Sequence, residues 1–162
     1  SCVTILLLFT RFFKNYSLFS IIINEGNLVE SDCSNVTKKT ISYEKKFFQR
    51  VGFNNLLNLC KKSENIELRN WSSSLEKMSG KSFYNFSKSC FEWSKKNYLL
   101  SYYKYFFKKK IYIYGENSKN LDLLSRLNGE RKKCILNAGH FSHQYNKNCI
   151  KNILIKFLKT NK

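Results

Sequence analysis

Apolar residues along this chain fall into two kinds of run. The first is short and continuous. Leu18 to Ile23 is apolar with polar flanks, a length and pattern that predict a strand buried on both faces of a parallel sheet. It stops at Asn24-Glu25-Gly26-Asn27, a turn sequence. Lys110-Ile111-Tyr112-Ile113-Tyr114 predicts a second strand, stopped by Gly115-Glu116-Asn117, and Lys133-Cys134-Ile135-Leu136 a third, ending at Asn137-Ala138-Gly139-His140. The second kind has helical spacing. Residues 1–14 predict a helix with an apolar face, closed by a turn at Asn15. Residues 38–107 lack strand alternation. Spacings such as Phe47/Val51 and Phe83/Phe86/Cys90/Trp93 predict helices over about 40–50, 53–62, 71–79, 82–94 and 97–107. Gly52 and Gly80 fall at helix ends in this scheme. A short helix is expected over about 120–128. A last one, over about 146–159, has Cys149, Ile150, Ile153, Leu154, Phe157 and Leu158 on one face.

The order is therefore helix, strand, helical insertion, strand, helix, strand, helix. Strands alternating with helices predict an α/β fold with a parallel sheet. Residues 1–37 and 108–162 form its core, and residues 38–107 a helical insertion. Such an insertion is placed to cap the C-terminal edge of the sheet, the edge at which open parallel sheets bind ligands.

Composition changes this picture little. With 43% hydrophobic and 16% aromatic residues, the 162-residue chain has material for a folded core. The net charge of +18 would suggest nucleic acid or an anionic membrane as partner. Yet Lys, Asn, Phe, Tyr and Ile dominate and Pro is absent, the imprint of a codon bias toward A and T. The lysines are scattered, so nucleic acid is not expected as a partner. The four Asn-x-Ser/Thr sequons, at Asn15, Asn35, Asn70 and Asn85, follow from the same composition. Ile5 to Phe9 is too short to span a bilayer and is followed by Arg11 and Lys14 without a cleavage sequence. No membrane span and no signal peptide are expected. The six cysteines form no CxxC pair, which favours free thiols and a cytoplasmic location over a metal or redox motif.

Chemistry concentrates on one residue. His140 follows a strand, sits in a tight Ala-Gly-His-Phe turn, and precedes an amphipathic helix. An imidazole there can serve as general base toward a nucleophile on a neighbouring strand. The segments around it, Ile111-Tyr112-Ile113-Tyr114-Gly115-Glu116-Asn117-Ser118 and then Cys134-Ile135-Leu136-Asn137-Ala138-Gly139-His140-Phe141, resemble the last strands of α/β-hydrolases. Ile23-Asn24-Glu25-Gly26-Asn27-Leu28 resembles the strand end that leads into their cap, and Ser87 to Ser94 resembles a cap helix of some bacterial members. The likeness spans nearly all of the chain. It implies the C-terminal part of an α/β-hydrolase sheet with a helical cap, His140 as base, and a carboxylate to orient it.

Many members place that acid three residues after the Gly that ends the second strand here; this chain has Ser118. Glu25, at the end of the preceding strand, is the favoured acid, since some α/β-hydrolases carry it there. Glu116 and then Asp32 are the alternatives, and a turn-capping Glu25 is the structural reading. The family's G-x-S-x-G elbow is not found in this chain. Residues 1–14 resemble the helix that follows the elbow, which would put the serine about three residues before Ser1. Ser1 itself lacks a preceding strand and a Gly two residues later, so no nucleophile is assigned within the chain.

His143 lacks a ligand set at matching spacing, so no metal is expected, and no cofactor. The stretch YLLSYYKYFFKKK from Tyr98 to Lys110 could stack bases. It reads more simply as cap or core aromatics, with Lys108, Lys109 and Lys110 a solvated lead-in to a strand. The function expected is that of a serine-hydrolase-type enzyme acting on an ester, amide or related acyl bond of a small apolar substrate, inactive as this chain alone. The alternative is a decayed, non-catalytic basic module that binds nucleic acid or an acidic partner.

Overall fold

The computed structural model describes residues 20–33 and 35–159. The helix expected over 1–14, Ser1 and the start of the first strand lie outside them. The described residues form a mixed α/β structure around a three-stranded parallel sheet of order β1-β2-β3. Strand β1 is Ser20–Asn24, β2 is Lys109–Gly115 and β3 is Lys132–Ile135. The register pairs Ile22 with Ile111 and Asn24 with Ile113, and Ile113 with Lys133 and Gly115 with Ile135. The chain divides into two compact units, residues 20–26 with 103–159 and residues 27–102.

The first unit holds the sheet. Ile111 and Ile113 of β2 project to one face and pack with Ile135, Ala138, Ile153 and Phe157. Ile153 and Phe157 come from helix α8, Lys147–Lys159, whose apolar stripe the sequence spacing predicts. Tyr112 and Tyr114 alternate with these isoleucines and occupy the other face. Tyr112 is buried there and meets the Tyr103 ring edge-on at 6.5 Å. Burial on both faces explains why β2 has no polar side. Between β2 and β3 run a 3-10 turn, Glu116–Ser118, and helix α7, Leu121–Arg126, capped by the Asn120 side chain. Leu123 and Leu127 are fully buried.

Lys109 and Lys110 are not a solvated lead-in, as the sequence suggested. The Lys109 ammonium lies 4.3 Å from the centre of the Phe157 ring, and Lys110 pairs with Glu130 at 3.5 Å. Their stems run along apolar surface while the heads find partners, which half-buries both. Lys108 alone of the three is exposed.

The second unit is helical: α1 Asn35–Ser42, α2 Lys45–Phe47, α3 Phe53–Lys62, α4 Ile66–Leu75 and α5 Gly80–Lys95. Helix α6, Tyr98–Tyr105, follows. Its core is Phe48, Phe53, Cys60, Leu75 and Phe83, with Tyr43, Trp71 and Tyr84 against them. Gly52 does not end a helix. A π-helical turn over Phe48–Gly52 joins α2 to α3 without a break. A Cβ at Gly52 would stand 2.7 Å from Phe48 Cδ2, so glycine here makes room for a buried ring. Gly80 opens α5, where Ser79 caps the helix by accepting from Ser82 N–H.

Among the described residues, no helix is long and apolar enough to cross a membrane.

Candidate functional site

The C-terminal ends of the three strands run into three turns that lie side by side. The first turn follows β1. Its Glu25 adopts φ +52°, a conformation uncommon for residues other than glycine. Glu25 N–H still donates to Ile113 O at 3.0 Å, extending the ladder by one rung. The residue thus stays tied to β2, and its side chain reaches across β2. Glu25 Oε1 accepts from Gly115 N–H at 2.5 Å and from the Ser118 hydroxyl at 2.6 Å. Its other oxygen, Oε2, lies 3.2 Å from His140 Nδ1. The Glu25 side chain is 8% exposed and that of His140 50%. Two donors on one oxygen fix the rotamer of this buried carboxylate.

The sequence therefore named two residues, 115 positions apart, that the fold brings into contact. It gave Ser118 no part. Here the Ser118 hydroxyl holds a carboxylate that arrives from the neighbouring strand. Glu116 turns elsewhere: its Oε2 accepts from Asn137 N–H at 3.0 Å. Asp32 lies in the other unit, where its carboxylate accepts from the N–H groups of Leu28 and Val29 and caps a 3-10 turn, Glu30–Asp32.

No family model, curated protein or solved structure matches this chain.

The loop that carries His140 is pinned at several points. Asn137, at φ +54°, is held by Glu116. The carbonyl of the buried Ala138 accepts from Asn117 N–H at 2.9 Å. The buried Ser142 donates its hydroxyl to Asn24 Oδ1 at 2.6 Å, and Asn24 Nδ2 lies 3.4 Å from His143 Nδ1. Asn24 and Ser142 thus clamp the far side of the loop, and nothing in their spacing of 118 residues announced it. Phe141 meets the His140 ring edge-on at 5.1 Å.

Gly115 lets the turns come this close. A Cβ there would sit 2.2 Å from Gly139 O and 2.5 Å from Ala138 O. Its φ of −81° is open to any residue, so glycine is required for space and not for conformation.

Two neighbouring side chains have altered acidity. Burial pushes the Tyr114 hydroxyl up, aided by Cys134. Burial and then the Glu116 charge raise the Cys134 thiol, which keeps it a poor nucleophile. Among the described residues, no group of three or more His, Cys, Asp or Glu side chains gathers to hold a metal. In the tautomer whose Nδ1–H donates to the carboxylate, the basic nitrogen of a neutral His140 is Nε2. An imidazole so oriented can take a proton from a hydroxyl and return it to a leaving group.

Proposed function

We propose that this chain supplies the acid–base half of a serine-hydrolase-type site in an α/β-hydrolase-like sheet. His140 acts as general base and then general acid, and Glu25 fixes its tautomer and stabilises the imidazolium that forms. The observation that carries this reading is the 3.2 Å contact between Glu25 Oε2 and His140 Nδ1 at the ligand-binding edge of a parallel sheet. A structural ion pair needs no loop clamped at both ends. Here Asn24, Glu116 and Asn117 hold the histidine loop to the other two strand ends. The bond cleaved would be an ester, amide or related acyl bond of a small apolar substrate, attacked by a serine encoded ahead of Ser1.

The test is to express the chain with the coding sequence that precedes Ser1 and assay it on short p-nitrophenyl esters. A G-x-S-x-G motif about three residues ahead of Ser1 is expected, with turnover that falls about a thousandfold or more in His140→Ala. Absence of the motif, or turnover unchanged by His140→Ala, would overturn the reading. Binding of an oligonucleotide that weakens steeply with salt would then favour the basic-module alternative.

A further inference from the structure

The helical unit contains a pocket of about 300 Å³ that the proposed chemistry does not use. Its walls are Val36, Tyr43, Phe47, Phe48, Leu56 and Leu59, from α1, α2, the π turn and α3 and the residues between them. Ligand pockets are of this kind, apolar with a few polar groups. The wall is built in advance. Phe48 is buried and packed against the rings of Tyr43, Phe53, Phe83 and Tyr84, at 5.9 to 6.3 Å. Gly52 keeps the Phe48 ring in that position. A π turn inside an α-helix is itself frequent at functional sites. At the rim, Phe47 and Leu59 are 47% and 66% exposed, apolar surface that a bound chain would cover.

Charge selects the occupant. Among the described residues, Lys39 is the single charged residue lining the pocket, and no carboxylate lines it. Lys38, Lys45 and Lys46 lie nearby on α1 and α2, with Glu44 the one acid between those helices. We propose that this pocket binds the hydrocarbon part of a free single-chain amphiphile with an anionic head, and that Lys39 pairs with the head. An engineered apolar cavity of about 150 Å³ accepts benzene, so a pocket of this size has room for a chain of roughly ten carbons.

The experiment titrates decanoate, below its micelle concentration, into the full chain by calorimetry, with decanol and decyltrimethylammonium as comparisons. Saturable one-site binding of decanoate is expected, with the cationic amphiphile weakest. Lys39→Gln should weaken decanoate about three- to fivefold, the scale of an exposed ion pair, and leave decanol unchanged. Leu56→Trp should fill the pocket and abolish binding of both. Leu59→Glu alters an exposed side chain, leaves the core intact, and should weaken decanoate more than decanol. The proposal is overturned by a lack of saturable decanoate binding. It is equally overturned if decanoate and the cationic amphiphile bind alike, or if Leu59→Glu leaves decanoate binding unchanged.

Discussion

At the residue scale, the Glu25–His140 contact depends on Ser118. One Glu25 oxygen takes two donors, and the other faces the imidazole. Losing the Ser118 hydroxyl removes a hydrogen bond to a charged group, worth about 1.5–3 kcal/mol. Gly115 N–H would still hold the carboxylate, so Ser118→Ala should lower turnover of the extended protein by about tenfold and leave KM near its original value. Glu25→Gln should cost far more. The decisive readout is the ring tautomer of His140 by long-range ¹H–¹⁵N correlation. Neutral His140 should carry its proton on Nδ1 in the parent and in Ser118→Ala, and lose that preference in Glu25→Ala. A tautomer that ignores Glu25 would reduce the pair to a coincidence of neighbours. Sequence could name His140 because it sits in a turn at a strand end, where chemistry-bearing side chains collect, and Glu25 only through the family resemblance. It could not name Ser118, Asn24 or Ser142 in their roles, because those depend on which strand ends become neighbours.

At the element scale, the strands were the most legible part. Each is a short apolar run bounded by a turn, and each lies within about two residues of its expected place among the described residues. The helical insertion was read less well. One helix expected over 40–50 is two, Asn35–Ser42 and Lys45–Phe47, and the latter continues through a π turn into Phe53–Lys62. A π turn shifts the hydrogen-bond pattern by one residue, so a search at the α-helical period breaks the run at Gly52. Helix α4 begins at Ile66 and not at 71. Its start was readable from Asn65, whose side chain accepts from Glu67 N–H at 2.8 Å. The turns between elements carry their own test at Gly115. Gly115→Ala forces a methyl group against two carbonyl oxygens that are backbone and cannot rotate away. The variant should lose about 1–3 kcal/mol in urea unfolding and move the His140 loop, with a larger loss of turnover than of stability. Wild-type stability in Gly115→Ala would mean that the two turns separate freely.

At the scale of the whole molecule, the buried acids make stability fall in alkali. Burial raises the Cys60 thiol above its ordinary 9.0. Burial, with the Glu130 charge second, raises the Tyr103 hydroxyl above its ordinary 10.0. A hydrogen bond to Cys90, followed by burial, raises the Cys33 thiol. In each case the folded state keeps its proton at a pH where the unfolded chain has released it. The folded state therefore binds more protons above pH 9, and stability falls as pH rises. The contribution is complete below pH 9 and is lost as pH climbs from 9 for the thiols and from 10 for Tyr103. Repulsion within a +18 chain also bears on stability, so the raw pH profile mixes several effects. Tyr103→Phe separates them, because both proteins share every lysine. Tyr103 is 1% exposed, and its hydroxyl has no hydrogen-bond partner among the described residues. Deleting that oxygen removes an unsatisfied buried group, worth about 1–3 kcal/mol, and keeps the ring packed on Tyr112. Tyr103→Phe should therefore be more stable than the parent at pH 7.5, and its advantage should widen above pH 10, when the parent must hold a proton that the unfolded chain gives up. Urea midpoints at pH 7.5, 9 and 10.5 for the two proteins measure both effects. A midpoint difference that is negative at pH 7.5 would show that the hydroxyl has a partner in solution, and one that does not grow above pH 10 would show that Tyr103 titrates as an exposed tyrosine.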